Sequence, residues 1–360
     1  MEYSDEKKES MKSAYKSYVL RKVLFVLVLV SVVVICAGVS LTLGSRNIDF
    51  FEAYRLLFQH ILGATYEQGS TIWWDDFVVW EVRLPRILVA VVAGAALAVA
   101  GAVIQSIVKN PLADPYTTGI SSGAVFGVAL AMSLGFVVIQ GTGGSIAVTI
   151  NAFIFGMIPA VVIILVSRFR NSTSVTIILA GIAMSYLFSA LGTLVMLMSS
   201  EEDLHGIYLW QIGTLQYVEW STLPVMTVCT IAGSLLCVLI ANKLNILSAG
   251  DATAKSLGLD TDGLKTLCLL VVSLMTASVV SYVGIIGFLG LVAPNVVRLV
   301  LGADNRYIIP ASMMVGAAFL VFTDTLSRLI TSVEVPVGVV MAFIGGPIFL
   351  LIILLNKRGV

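Results

Sequence analysis

Residues 87–108 read ILVAVVAGAALAVAGAVIQSIV, a long run without a charged side chain. A helix needs about 20 predominantly apolar residues to cross a hydrocarbon layer roughly 30 Å thick, so this run is long enough to do so. Gly94, Ala98 and Ala102 recur at every fourth position, and a neighbouring stripe consists of Ala93, Leu97 and Gly101. Such stripes let neighbouring helices approach closely. The run therefore predicts a membrane helix packed on more than one side within a bundle.

The rest of the chain repeats this pattern. It is 58% hydrophobic and 12% charged, far from the composition of a soluble domain. The charge-free runs are 23–45, 87–108, 115–167, 171–200, 220–242, 266–297, 307–323 and 335–356. Two of them are too long for one crossing, and each contains a glycine-rich break, at 141–145 and at 284–287. The prediction is an all-α polytopic membrane protein with about ten transmembrane helices.

The domain organisation follows from the same runs. Residues 1–22 are polar and mixed in charge, which predicts an N-terminal tail before a single transmembrane domain at 23–356. Within that domain, the largest internal hydrophilic loop on the lysine-bearing side spans about 242–265.

The lysines and arginines predict the orientation, because cytoplasmic loops of membrane proteins carry an excess of them. Ten spans with a cytoplasmic N-terminus place every lysine inside and both termini in the cytoplasm. The inner set comprises the N-terminal cluster, Lys109, Arg168, Arg170, Lys243, Lys255, Lys265, Arg298, Arg306, Lys357 and Arg358, and the outer set comprises Arg46, Arg55, Arg83, Arg86 and Arg328. We therefore expect a multi-pass protein with loop 242–265 in the cytoplasm.

Several function classes are disfavoured. The net charge of zero disfavours a nucleic-acid partner, which requires a basic surface. The four cysteines lie in apolar runs and form no C-x-x-C pair, and the two histidines stand alone, so we expect no metal site and no catalytic residues. The sequence lacks the Gly-Lys-Ser/Thr of a phosphate-binding loop. Any ATP-driven transport therefore requires a separate ATPase.

One hydrophilic stretch, GDATAKSLGLDTDG at 250–263, predicts a short helix between two apolar spans. Ser248 is a candidate N-cap and Gly258 suits the position after the helix end, which leaves about nine helical residues. Its few apolar side chains fit a groove on another protein. A helix that only connects two spans explains the stretch as well.

Two further sets of residues allow two interpretations each. Asn110-Pro111-Leu112 and Ser172-Thr173-Ser174 lie at the cytoplasmic ends of spans and indicate either a pathway lining or a turn with a helix cap. Arg83 and Arg86 lie where the second predicted span begins on the outer side of the membrane. They indicate either anchoring to lipid headgroups or binding of an acidic protein partner. Asp324 and Arg328 are four residues apart and are expected to pair on one helix face.

Several blocks of the sequence resemble FecCD-type permeases, the membrane subunits of binding-protein-dependent ABC importers for iron–siderophore complexes, haem and vitamin B12. The blocks are RLPR at 83–86, AGAALAVAGAVIQSIVKNPLADP at 93–115, GISSGA at 119–124, LAGIAMS at 179–185, GDATAKSLGL at 250–259, GFLGLVAPNVVR at 287–298 and EVPVGVVMAFIGGPIFL at 334–350. They occur in family order and at family spacing, from about residue 20 onward. The charged N-terminal 20 residues are longer than the family leads us to expect.

The resemblance implies a ten-helix subunit with the type II (BtuC-like) permease fold in the cytoplasmic (inner) membrane. It implies a permease homodimer or paralogous heterodimer, two ATP-binding subunits inside and a substrate-binding protein outside. The chain itself needs no cofactor, and ATP–Mg is expected on the ATPase. The positions that match the family's ATPase-coupling element are Gly250, Asp251, Ala254, Lys255, Leu257 and Gly258. Those that match its cytoplasmic gate are Asn110, Pro111, Leu112, Ser172, Thr173 and Ser174. Those that match its docking site for the binding protein are Arg83, Arg86 and Arg328.

Two hypotheses about function follow. The first is the permease of an ATP-driven importer for a metal chelate, with iron–siderophore as the first expectation and cobalamin or haem next. The second is an ion-gradient-driven transporter or passive channel that works without an ATPase. The first requires partner proteins on both sides of the membrane, whereas the second predicts uptake by the isolated subunit.

Overall fold

A computed structural model of the protein describes residues 2–44, 46–169, 173–331 and 334–356. Within these ranges the chain forms fifteen α-helices and no strand. They are α1 Glu2–Thr42, α2 Phe50–Ile61, α3 Thr71–Phe77, α4 Leu84–Val108, α5 Ile120–Leu134, α6 Gly144–Phe169, α7 Ser174–Leu197, α8 Glu201–Ile212, α9 Leu223–Leu239, α10 Ala241–Ser248, α11 Asp251–Ser256, α12 Thr261–Val283, α13 Leu289–Leu301, α14 Asn305–Ser327 and α15 Val337–Asn356. A π-helical segment, Val78–Arg83, joins α3 to α4.

The all-α class is confirmed, and the number of apolar helices agrees with about ten. Eight helices are long and apolar enough to cross a membrane, in α1, α3–α4, α6, α7, α9, α12, α14 and α15. The shorter apolar helices α5 and α13 bring the total to ten. Both overlong runs break near the predicted glycines, between α5 and α6 and between α12 and α13.

The N-terminal tail continues directly into the first span. Helix α1 runs from Glu2 to Thr42, so the polar residues before position 23 belong to the same helix as the apolar ones. The hydrophilic segments 44–82 and 199–219 also contain helices, namely α2, α3 and α8. Helices α2, α3 and α8 pack on neighbouring helices of the transmembrane bundle or continue into it.

Helix α4 occupies the centre of the bundle. Every residue from Ala93 to Val108 is buried, and the helix packs against α9, α12, α13 and α14. A Cβ atom at Gly94 would collide with the backbone of Gly316 on α14, and one at Gly101 would collide with Gly290 on α13. The predicted stripes of small residues are therefore real contact surfaces at which helix backbones touch.

The break between α12 and α13 consists of irregular backbone at 284–288, held by neighbouring chain segments. The Thr214 N–H donates to the Val283 carbonyl at 2.9 Å, and the Ile286 N–H donates to the Tyr116 hydroxyl at 3.3 Å. Protein groups thus satisfy the Val283 carbonyl and the Ile286 N–H at the break, as irregular structure at membrane depth requires.

The first prediction tests the α4–α14 contact. Gly94→Ala places a methyl group against the Gly316 backbone, and overpacking of this kind costs about 1–3 kcal/mol. We expect a lower unfolding temperature in detergent, measured by thermal unfolding of the purified protein. Gly143→Ala is the control, because nothing lies within 4 Å of a Cβ atom at that position. Equal unfolding temperatures for the two variants would contradict the contact.

Candidate functional site

The segment between α9 and α12 contains two short helices rather than the single nine-residue helix expected from the sequence. Ser248 belongs to α10, where its Oγ donates to the Asn245 carbonyl at 2.7 Å, so its predicted role as an N-cap is wrong. Gly250, with φ of 121°, precedes the six-residue helix α11. This backbone conformation separates the two helices and is one that side-chain-bearing residues rarely adopt.

Helix α11 ends as predicted. Gly258 follows the C-cap with φ of 80°. The Gly258 N–H donates to the Lys255 carbonyl at 3.0 Å, and the Leu259 N–H donates to the Ala254 carbonyl at 3.0 Å. These bonds satisfy carbonyl groups that would otherwise be free at the end of the helix.

The predicted coupling residues of α11 point in different directions. Ala254 is fully buried against the bundle, whereas Leu257 is 68% exposed. Lys255 pairs with Asp262 at 3.1 Å on the surface. Helix α11 therefore presents an apolar side chain and a charged pair outward, while its opposite side is fixed to the protein.

Asp251 belongs to the fixed side. One carboxylate oxygen accepts from the Lys109 ammonium at 2.7 Å, and the other accepts from the Lys265 ammonium at 2.7 Å. Burial by itself would raise the pKa of Asp251, but the hydrogen bonds and charges of the two lysines outweigh it and hold the pKa below its ordinary value. Asp251 is therefore ionised at neutral pH and links α11 to the ends of α4 and α12.

The first predicted gate element, Asn110-Pro111-Leu112, follows Lys109 directly and forms a turn. Lys109 has a left-handed backbone, with φ of 57°, and ends α4. The Leu112 N–H donates to the Asn110 side-chain oxygen at 2.9 Å. The Asn295 amide on α13 donates to the Pro111 carbonyl at 2.9 Å. This turn is thus attached to the rest of the protein on both sides.

The second predicted gate element, Ser172-Thr173-Ser174, meets the first through α4. Ser172 lies outside the described residues. The Thr173 hydroxyl caps α7 by accepting from the Thr176 N–H at 3.1 Å. The Ser174 hydroxyl donates to the Ile107 carbonyl at 3.3 Å, close to the start of the turn. The cap interpretation is therefore correct for Thr173, and the gating role of both elements stays a prediction.

At the opposite end of α4, the predicted docking arginines take internal partners. Arg86 is 4% exposed and binds Asp324 through two of its nitrogens, at 2.7 and 2.9 Å, and also contacts Glu334. Arg83 donates to the carbonyls of Leu41 and Thr42, at 2.9 and 3.1 Å. The structure therefore holds these guanidinium groups inside the subunit, and their docking role stays a prediction.

Arg328 completes this cluster at the Arg86 end. Its Nε lies 3.4 Å from an Asp324 oxygen, which confirms the predicted pair four residues apart on α14. The same side chain donates to the Ser40 hydroxyl at 2.6 Å and so links α14 to α1. Neither this link nor the contact of Arg86 with Glu334 was predicted from the sequence, because the partners in each contact lie far apart along the chain.

A cleft of about 310 Å³ opens between α5, α7, α8 and the break before α13. Its polar lining consists of neutral groups, namely Ser121, Ser122, Ser189, Thr193, Tyr208 and Gln211. The described residues contain no group of three or more His, Cys, Asp or Glu side chains that could hold a metal ion. The cleft wall therefore offers hydrogen bonds without a charge.

Eight helices long enough to cross a membrane, two shorter apolar helices and a buried central helix define a polytopic membrane protein. The chain belongs to the FecCD transport family, whose model matches residues 27–355. It is 38% identical to the cobalamin import system permease protein BtuC of Halobacterium salinarum, over 76% of this chain and 72% of that protein. It is 36% identical to the hemin transport system permease protein HmuU of Yersinia pestis, over 89% of this chain and 93% of that protein.

A solved structure supports the same assignment. It is described as an inward-facing conformation of a metal-chelate type ABC transporter and matches this chain with a TM-score of 0.79 at 30% identity. The match covers 91% of this chain and 98% of that one. The expected type II permease fold is therefore confirmed.

The second prediction concerns the Arg86–Asp324 pair. Arg86→Met leaves Asp324, which is 1% exposed, without its bidentate partner, and breaking a buried pair in this way costs about 3–5 kcal/mol. We expect a large fall in the unfolding temperature in detergent. Part of this fall should be recovered in Arg86→Met/Asp324→Leu, which removes both charges.

The control for this pair is Arg55→Met, which breaks the exposed Arg55–Glu52 pair and should change stability by less than about 1 kcal/mol. Equal effects of Arg86→Met and Arg55→Met would contradict the structural role of the buried pair.

Proposed function

We propose that this chain is the permease subunit of a binding-protein-dependent importer that carries a metal chelate across the cytoplasmic membrane, driven by a separate ATPase. The observation that carries the proposal is the attachment of α11 to Lys109, the residue directly before the predicted gate turn. In this arrangement, a movement imposed on α11 from outside the subunit reaches the end of the central helix through one ion pair.

The proposed assembly has two permease copies, two ATP-binding subunits and one external substrate-binding protein. The two copies are identical in the simplest case, and a paralogous partner is the alternative. The excess of lysine at the α11 end favours a cytoplasmic position for that end and for both termini. The exposed side chain of Leu257 supports contact with the ATPase, where ATP–Mg would bind.

The proposed substrate class is a metal chelate, with an iron–siderophore complex first and cobalamin or haem as alternatives. Relatives named for cobalamin and hemin transport support this class. The neutral hydroxyl and amide groups of the cleft between α5, α7 and α8 also support it. Such groups can hydrogen-bond to the periphery of a chelate, and none of them is a thiolate, an imidazole or a carboxylate, the side chains that usually bind metals.

The test of the proposal is uptake into proteoliposomes. The permease is reconstituted with its cognate ATPase and binding protein, and accumulation of radiolabelled chelate is followed with ATP inside the vesicles. Uptake that requires all three components supports the importer. Equal uptake by the permease alone, without ATP, would instead establish an ATPase-independent transporter or channel.

The third prediction concerns the outer surface of α11. Leu257→Asp should weaken retention of the ATPase, because it places a charge where the proposed groove is apolar. Retention is measured by co-purification from detergent, with unfolding temperature as a check on folding. The matched control is Ile139→Asp, an exposed apolar residue in the loop between α5 and α6. Full retention of the ATPase by Leu257→Asp would count against docking at this surface.

The fourth prediction concerns docking of the binding protein by Arg86. Glu334 contacts Arg86 and would compete with an acidic group from outside. Glu334→Gln leaves the Asp324 pair in place and should therefore tighten binding of the external protein, more strongly at low salt than at high salt. Surface plasmon resonance at two ionic strengths measures this change. Unchanged or weaker affinity would remove Arg86 from the docking surface.

A further inference from the structure

We infer that Asp251 is a positioning residue that transmits movement of α11 to the gate turn Asn110–Leu112, with Lys109 as the moving link and Lys265 as the anchor. The inference rests on the proposed function, since it assumes that an ATPase moves α11. It assigns Asp251 to the inside of the subunit, whereas the family resemblance implied a role for it at the ATPase contact.

The three side chains form one connected unit. Each oxygen of the Asp251 carboxylate has its own lysine, and both distances are 2.7 Å. Charge-assisted hydrogen bonds of this kind are the strongest that side chains form. The carboxylate therefore cannot move with α11 without pulling on both lysines or breaking one of the bonds.

The two lysines differ in how deeply they are buried, and this difference determines which of them moves with Asp251. The Lys265 side chain is 1% exposed and lies near the start of α12, so it is held by the bundle. The Lys109 side chain is 28% exposed and stands at the end of α4. A displacement of α11 is therefore transmitted mainly to Lys109, because the buried lysine has less room to follow.

The gate turn has a second contact, with α13. Because this contact holds Pro111 in place, movement of Lys109 changes the conformation of the turn. Asn295 donates to the Pro111 carbonyl at 2.9 Å and also to the Leu291 carbonyl on its own helix, at 2.8 Å. The turn is thus held by Asp251 through Lys109 on one side and by Asn295 of α13 on the other. Movement of Lys109 relative to α13 must reorient the residues between them, including the exposed Leu112.

The neighbouring pair on the same loop lacks these properties. Lys255 and Asp262 lie 3.1 Å apart, and their side chains are 51% and 45% exposed. Exposed pairs contribute little, and this one connects α11 only to the start of α12. Asp262 is therefore a matched control, because it is an aspartate paired with a lysine nearby but has no contact with Lys109.

The fifth prediction is the test of Asp251 in the complete transporter in proteoliposomes. Asp251→Asn should reduce the chelate transported per ATP hydrolysed by about tenfold, a typical size for coupling between sites, while the ATPase remains bound. Asp251→Glu, which keeps the charge, should recover part of the loss, and Asp262→Asn, which leaves the contact with Lys109 intact, should lose much less transport per ATP than Asp251→Asn. Unfolding temperature confirms that each variant is folded.

A double variant separates transmission from general damage. If Asp251 acts through Lys109, then Lys109→Met/Asp251→Asn should be no worse than Asp251→Asn alone, since the second change removes a partner that is already lost. Losses that multiply would overturn the inference, because the two residues would then act independently. Loss of the ATPase from Asp251→Asn would also overturn it, by placing Asp251 in the docking surface.

The wild-type transporter distinguishes failure of this inference from failure of the proposed function. If the wild type shows no ATP-dependent uptake with its partners, the proposed function itself is wrong. If the wild type transports and Asp251→Asn transports equally well per ATP, the importer stands and only the role of Asp251 is overturned.

Discussion

Close packing around α4 is the constraint on which the rest of the structure depends. This helix is enclosed by α9, α12, α13 and α14, and its backbone touches that of α14 at Gly94 and that of α13 at Gly101. Helices in a membrane gain little from burying apolar surface, so contact between backbones and small residues has to hold the bundle together. The same closeness leaves the middle of α4 little freedom to bend.

The two ends of α4 carry complementary charge clusters. At one end, the cation Arg86 is shared by the carboxylates of Asp324 and Glu334. At the other, the carboxylate of Asp251 is shared by the cations of Lys109 and Lys265. Each cluster joins α4 to helices far away in sequence, and each satisfies charges that would be costly to leave alone beside the membrane.

The sequence predicted most of the fold because length and apolar composition determine which segments can span a membrane. It also predicted the Asp324–Arg328 pair and the end of α11 at Gly258, since both depend on residues within one turn of each other. It could not predict that Lys109 and Asp251 meet, because 142 positions separate them. It misplaced the start of α11 because the backbone at Gly250 outweighs the capping preference of Ser248.

The two charge clusters differ in how readily they can rearrange. Asp324 is 1% exposed, and separating a buried pair leaves a charge without water to solvate it. The Asp251 side chain is 36% exposed, so water can replace a lysine as the contact opens. Movement of the bundle should therefore be concentrated at the α11 end, while the Arg86 end remains fixed. A subunit that is fixed at the Arg86 end and can rearrange at the α11 contact suits the proposed importer, in which an internal ATPase supplies the motion and an external binding protein requires a constant surface.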